Sequence, residues 1–253
     1  MLGTGIFVFV GGANALAHRY PSDAVPIEST ALVWGLSFMV LKYSLAHISG
    51  AFMNPASTIA FAIVKKVPWR NVPIFILCQL IGSTLAALTL RLLFHSQGDI
   101  RPAVTQVIPP TTLPQAVAWE FLITFILTLT SASVATDSRA HKMLFGIAIG
   151  AVVIFNVIIA GDITGGAMNP ARSIGPAVVA GEYKDLWVYI VGPGLGATSA
   201  TLTYDFLRLP EPEQEKPSTK NAKIIFNELY TEPQVQPSFE AKSIEKFRKV
   251  LHV

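Results

Sequence analysis

The chain has 253 residues, of which 51% are hydrophobic and 14% charged, with a net charge of +3 and a mean hydropathy of +0.50. That composition excludes a disordered chain and departs from soluble domains, where about 25% of residues are charged. The small net charge, with no basic block, argues against a nucleic-acid partner, and the single cysteine, Cys78, excludes a disulfide framework or a Cys/His metal site. Charge is also unevenly spread, since 15 of the 35 charged residues lie between Leu207 and Val253. The remaining class is a membrane protein.

A helix crossing a bilayer needs about 17–25 largely apolar residues. Stretches of that kind run through Met1–Ala17, Thr30–His47, Val72–Phe94, Gln115–Ala135, Leu144–Ile159 and Leu186–Leu207, the first and fifth at the short limit. Pro55–Val64 and Pro170–Ala180 are apolar but too brief to span. The expected fold class is therefore all-α, with six transmembrane helices plus two half-helices. Ala13-Asn14-Ala15 near the end of the first stretch would suit signal-peptide cleavage, but no Lys or Arg precedes the apolar run, so a span is the preferred reading.

Lys and Arg in short connections orient a membrane protein. Lys65, Lys66 and Arg70 lie on one side with Arg139 and Lys142, against Arg19, Arg101 and Lys184 on the other. The first set marks the cytoplasmic side, and an even number of spans places both termini there. Residues 208–253 are polar, mixed in charge and Pro-containing, and read as a flexible cytoplasmic tail whose Ser218, Thr219, Ser238 and Ser243 are candidate phosphorylation sites.

The strongest pattern is an internal repeat. Ser49-Gly50-Ala51-Phe52-Met53-Asn54-Pro55-Ala56-Ser57-Thr58 returns as Thr164-Gly165-Gly166-Ala167-Met168-Asn169-Pro170-Ala171-Arg172-Ser173, and Gln79-Leu80-Ile81-Gly82 is echoed by Pro193-Gly194-Leu195-Gly196. With three spans and a half-span in each half, about 1–100 and 114–207, the second copy is expected upside down relative to the first, its site at the bilayer midplane. Asn is a strong N-cap and Pro suits the first helical position, so each Asn-Pro-Ala starts a short helix inside the membrane. Two such starts meeting from opposite sides aim two partial positive ends at one place. They repel cations there, while the Asn amides donate to a passing oxygen.

These residues resemble the aquaporin, or major intrinsic protein, family over Leu2 to about Leu207, with His47-Ile48-Ser49-Gly50-Ala51 ahead of the first motif. Asn156-Val157-Ile158-Ile159 with the second motif is most similar to the plant nodulin-26-like intrinsic subfamily. The resemblance implies a right-handed six-helix bundle with two half-helices, a pore in each subunit, a homotetramer, and a passive channel in the plasma membrane or another cell membrane. It assigns Asn54, Pro55, Ala56, Asn169, Pro170 and Ala171 to the pore motifs, and Trp34, Val157, Gly166 and Arg172 to an outer constriction.

Arg172 carries independent weight. It stands in the first turn of its half-helix, where a cation opposes the macrodipole, and a charge within the membrane marks function by default. Its counterpart in the first motif is Ser57. Where Val157 stands, water-selective relatives place a His. Val157 and Gly166 are expected to leave a wider, more apolar opening, with Trp34 as a flat wall and Arg172 as donor, suited to water and small uncharged solutes such as glycerol.

Glu120 matches a family acid that holds the pore-loop backbone, because a buried carboxylate needs hydrogen bonds to loop N–H groups. Aligning Thr4 with Thr124 puts the sister acid just before Met1, so the chain reads as shortened relative to its relatives. Lys42 is unusual inside a span: snorkelling, pairing with an acid and lining an inner vestibule all remain open. Phe52 replaces a His common in relatives and contributes its carbonyl. No Ser/His/Asp cluster, phosphate loop or metal spacing is present, so neither an enzyme nor a cofactor is expected. The competing function is a non-conducting membrane interaction protein, an inactive shortened relative.

Overall fold

In the computed structural model the described residues are 1–17, 26–94, 99–137 and 139–208. The tail from residue 209, with its candidate phosphorylation sites, and the loop holding Arg19 lie outside them, as does the side chain of Lys142. The described elements are helical, in the order α1 (Leu2–Ala17), α2 (Ile27–Ser49), α3 (Pro55–Ile63), α4 (Val72–Leu93), α5 (Leu113–Thr136), α6 (Phe145–Thr164), α7 (Pro170–Ala180) and α8 (Val188–Leu207). Ile27–Ser49, Trp69–Leu93, Leu113–Thr136 and Phe145–Thr164 are long and apolar enough to cross a membrane, while Leu2–Ala17 is a shorter apolar helix. The protein is an all-α integral membrane protein that crosses the bilayer more than once.

Large apolar side chains such as Leu36, Val40, Leu77, Leu85, Leu122 and Phe155 point outward and are exposed, a surface suited to lipid and costly in water. Inward, α1 packs on α4, α2 on α6 and α5 on α8, while α3 lies against α8 and α7 against α4. Without a hydrophobic drive between helices in lipid, close approach depends on small residues. Gly35 of α2 meets the Gly150 carbonyl of α6 so closely that a Cβ on Gly35 would need the backbone to shift.

The helix boundaries follow local chemistry. α2 and α6 each stop at a glycine in the left-handed region, Gly50 at φ 72° and Gly165 at φ 80°. The expected fifth span ended at Ile159, but the helix runs on to Thr164. Gly161 and Asp162, which interrupt the apolar pattern, do not break the backbone ladder, and termination waits for Gly165. α5 begins with a capping box in which Thr112 and Gln115 satisfy each other's backbone.

At its other end α5 is tied down by Asp137, which accepts from the Arg139 guanidinium at 2.8 and 2.9 Å and from the Tyr204 hydroxyl of α8 at 2.8 Å. The Arg139 guanidinium, followed by the Arg139 backbone N–H and Tyr204, holds the Asp137 carboxyl well below the usual carboxylate range. A depressed folded-state value means stability that is present above the unfolded value and lost as pH falls through the folded one. Wild type is therefore expected to lose its melting-temperature advantage over Asp137→Asn progressively below about pH 4. A constant difference between pH 7 and pH 3 in detergent would count against the tie.

Candidate functional site

Both Asn-Pro-Ala segments form the helix starts their residue types favour. Asn54 and Asn169 are extended N-caps with Pro at the first helical position, and each side-chain oxygen accepts from the N–H two residues on, at 3.0 Å. The amide nitrogens then cross over. Asn54 Nδ2 donates to the Met168 carbonyl at 2.7 Å, and Asn169 Nδ2 to the Met53 carbonyl at 2.8 Å. Each Asn thus completes its own helix with one atom and the other motif's approach with another. Both are buried, as are Pro55, Ala56, Pro170 and Ala171.

The two approaches are held differently. Before the second motif, Glu120 is fully buried and accepts from Ala167 N at 2.9 Å, Met168 N at 2.8 Å and the Thr164 hydroxyl at 2.7 Å. Tyr189 of α8 donates to the Thr164 carbonyl at 2.8 Å. Before the first motif the carbonyls are bonded instead: Ala51 O by Lys42 Nζ at 2.8 Å, Phe52 O by Gln79 Nε2 at 3.0 Å, and Met53 O by Asn169. Ala51 at φ 47° and Met168 at φ 53° are non-glycine residues in the left-handed region, a conformation costing about 1–2 kcal/mol. Each is held by a side chain bonded directly to its backbone.

Arg172 is 9% exposed, with Nη2 donating to the Gly165 carbonyl at 3.1 Å and its guanidinium 4.5 Å from the Trp34 ring centre. Its Nη1 is buried without a protein acceptor among the described residues. Trp34, Val157, Gly166, Arg172, Asn54 and Asn169 all line one narrow cavity of about 10 Å³. Space of that size, about one probe sphere, holds a single water. On one side it shares Trp34, Val157 and Arg172 with a vestibule of about 460 Å³. On the other it shares Phe38, Asn54 and Leu127 with a vestibule of about 440 Å³ that Lys42, Ser57 and Lys66 also line.

The expected wide opening is narrower than Val157 and Gly166 alone imply. The Trp34 indole lines the same small cavity as both, packed edge-on against Phe7 at 4.8 Å and seated over Gly11, where a Cβ would overlap it. Residue identity at the lining positions does not convey which way the indole lies.

Sequence reasoning passed over several supporting residues. Gln79 was visible only as part of a repeat echo, and it joins Phe52 O to the Thr58 hydroxyl at 3.0 Å. Ser83, one helical turn later, donates to the Ala171 carbonyl, and Asn156 donates to the Ile123 carbonyl at 2.8 Å. Their common signal is a polar residue within an apolar helix, which must find a partner there. His47 is exposed in the last turn of α2.

The sequence profile of the family described as Major intrinsic protein matches residues 1–204. The chain belongs to the major intrinsic protein family. Among its relatives, Aquaporin NIP1-2 of Arabidopsis thaliana is 46% identical over 212 residues, covering 82% of this chain and 72% of that protein. Aquaporin NIP1-1 of Oryza sativa subsp. japonica is 43% identical over 208 residues, with the same coverage. Nodulin-26 of Glycine max is 41% identical over 224 residues, covering 88% of this chain and 81% of that one. The X-ray structure of the aquaglyceroporin from Plasmodium falciparum superimposes with a TM-score of 0.72 at 27% identity, covering 81% of this chain and 92% of that one. Nodulin-26-like proteins are thus the similar subfamily. As a major intrinsic protein, the chain is a membrane channel of the class that passes water and small solutes, and channels of this family are not enzymes.

Proposed function

We propose that the chain is a passive transmembrane channel for water and small uncharged solutes such as glycerol, and that it excludes ions and protons. The observation that carries this reading is the crossed pair of Asn54 and Asn169, which brings the starts of α3 and α7 face to face beside Arg172. Each helix start presents roughly half a positive charge, so a cation meets two such ends and a guanidinium at the narrowest point. A water oxygen meets donors instead. Trp34 and Val157 form the apolar wall, Gly166 leaves room, and Arg172 Nη1 is the donor, an arrangement matching a solute with carbons on one face and hydroxyls on the other. Glu120 fixes the backbone of Ala167 and Met168 behind that wall.

In this reading residues 1–207 form the channel domain. It consists of six spans and the half-helices α3 and α7, arranged as two inverted copies, about 1–100 and 114–207, with 208–253 as a cytoplasmic tail. Both termini lie in the cytoplasm, four copies assemble in the plasma membrane or another cell membrane, and each copy has its own pore. Stopped-flow light scattering of proteoliposomes tests the function directly. Water permeability is expected to rise well above that of empty vesicles and glycerol permeability to rise less, because a molecule larger than one water must displace the Trp34 indole. No increase for either solute would instead favour a non-conducting membrane interaction protein.

A further inference from the structure

Arg172 has no cationic counterpart within the first motif, where Ser57 takes its place. The structure supplies one from a different element. Lys42 of α2 lines the 440 Å³ vestibule on the far side of the Asn pair from the Trp34 and Arg172 wall. Its Nζ lies 5.4 Å from the ring centres of both Phe38 and Phe145, and it donates to the Ala51 carbonyl at 2.8 Å. The Arg172 guanidinium is likewise set on an aromatic face and anchored to a carbonyl in the approach to its motif, at Gly165. The two arrangements are convergent rather than copied, since Ala51 aligns with Gly166 and not with Gly165.

No ion pair involving Lys42 occurs among the described residues. An ammonium has three N–H donors, and the Ala51 carbonyl is its one acceptor among them, so its charge acts on whatever occupies the vestibule. Phe38 lines both this vestibule and the narrow cavity, so the ammonium stands immediately outside the narrowest point. Lys66 at the mouth adds a second charge of the same sign.

We propose that Lys42, held between Phe38 and Phe145, is a specificity-determining charge filter, a second cation barrier in series with Arg172 at the opposite mouth of the pore. It filters by charge and not by width, because the vestibule around it is roomy. This inference rests on the channel reading above. With two barriers in series, removing one leaves the other, so the informative comparison starts from Arg172→Val. In proteoliposomes of the full chain at neutral pH, potassium leak is read from a diffusion potential and water permeability from light scattering. Adding Lys42→Met to Arg172→Val is expected to raise the potassium leak per unit of water permeability about tenfold or more, the order expected when one poorly screened charge is removed from beside the path. Lys42→Arg in the same background is expected to leave that ratio at the Arg172→Val level. Equal ratios in the Met and Arg combinations overturn the proposal, because a purely structural role for the Ala51 contact would not move charge selectivity.

Lys42→Glu with Arg172 intact gives an independent reading. Reversing the vestibule charge is expected to make water flow sensitive to low millimolar guanidinium, while the native protein is expected to be insensitive to it. Insensitivity of that variant also overturns the filter. A native protein that conducts water while both tests fail leaves the channel reading standing, whereas a native protein that conducts no water ends both.

Discussion

Replacing Glu120 with leucine is expected to lower both stability and water permeability more than any other single change in the bundle. The substitution removes one acceptor group serving three donors, Ala167 N, Met168 N and the Thr164 hydroxyl. A buried N–H left without a partner costs about 1–3 kcal/mol, and a leucine side chain offers no acceptor to replace the carboxylate. Two stranded backbone donors, one of them on the left-handed Met168, would release the segment that presents Gly166 and Asn169. Glu120→Gln keeps the shape and one acceptor oxygen but turns an NH2 toward an N–H, so an intermediate loss is expected. Thermal unfolding in detergent, with water permeability normalised to reconstituted protein, measures both effects. A leucine variant that melts and conducts like wild type would remove Glu120 from the site.

The second large effect is expected at Trp34. Its indole lines the narrow cavity, stacked over the Arg172 guanidinium and braced by Phe7 and Gly11. Trp34→Ala opens that space and is expected to raise the glycerol-to-water permeability ratio roughly tenfold, the scale on which an apolar wall discriminates between solutes. The variant also forfeits a cation–π contact worth up to about 2 kcal/mol where desolvated, so some loss of thermal stability accompanies the gain. Gly11→Ala acts in the opposite sense, because its methyl would push the indole further into the opening, and water permeability should fall. If the glycerol-to-water ratio is the same in wild type and Trp34→Ala, the indole is not the limiting wall.

Much of this architecture could be read from residues alone, for identifiable reasons. Apolar runs of bilayer length and two Asn-Pro-Ala starts are local patterns, and local physics decides them: hydropathy for the runs, capping and proline geometry for the starts. The partners of Glu120 were also accessible in kind, since a buried carboxylate beside an irregular segment has few acceptable neighbours. Three features were not legible. The last turn of α6 was lost because Gly161 and Asp162 break the apolar pattern without breaking the helix. The size of the narrow cavity depends on the direction of one indole, set by Gly11 and Phe7 on another helix, and a list of lining positions does not contain that direction. Lys42 was conspicuous, but its position against Ala51 and Phe145 is a tertiary fact, joining α2 to the first approach and to the start of α6.

The crossed asparagines also bear on biosynthesis. As the chain emerges from its N-terminus, α3 can cap itself with the Asn54 oxygen as soon as Ala56 exists, but the Asn54 amide has no Met168 carbonyl to reach until more than a hundred further residues have been made. The Met53 carbonyl waits just as long for Asn169. Although proteins commonly fold piecewise as they are synthesised, the centre of this one closes only when both segments are present. An interrupted or half-length product would leave the Asn54 amide and the Met53 carbonyl without the partners that bury them in the complete fold.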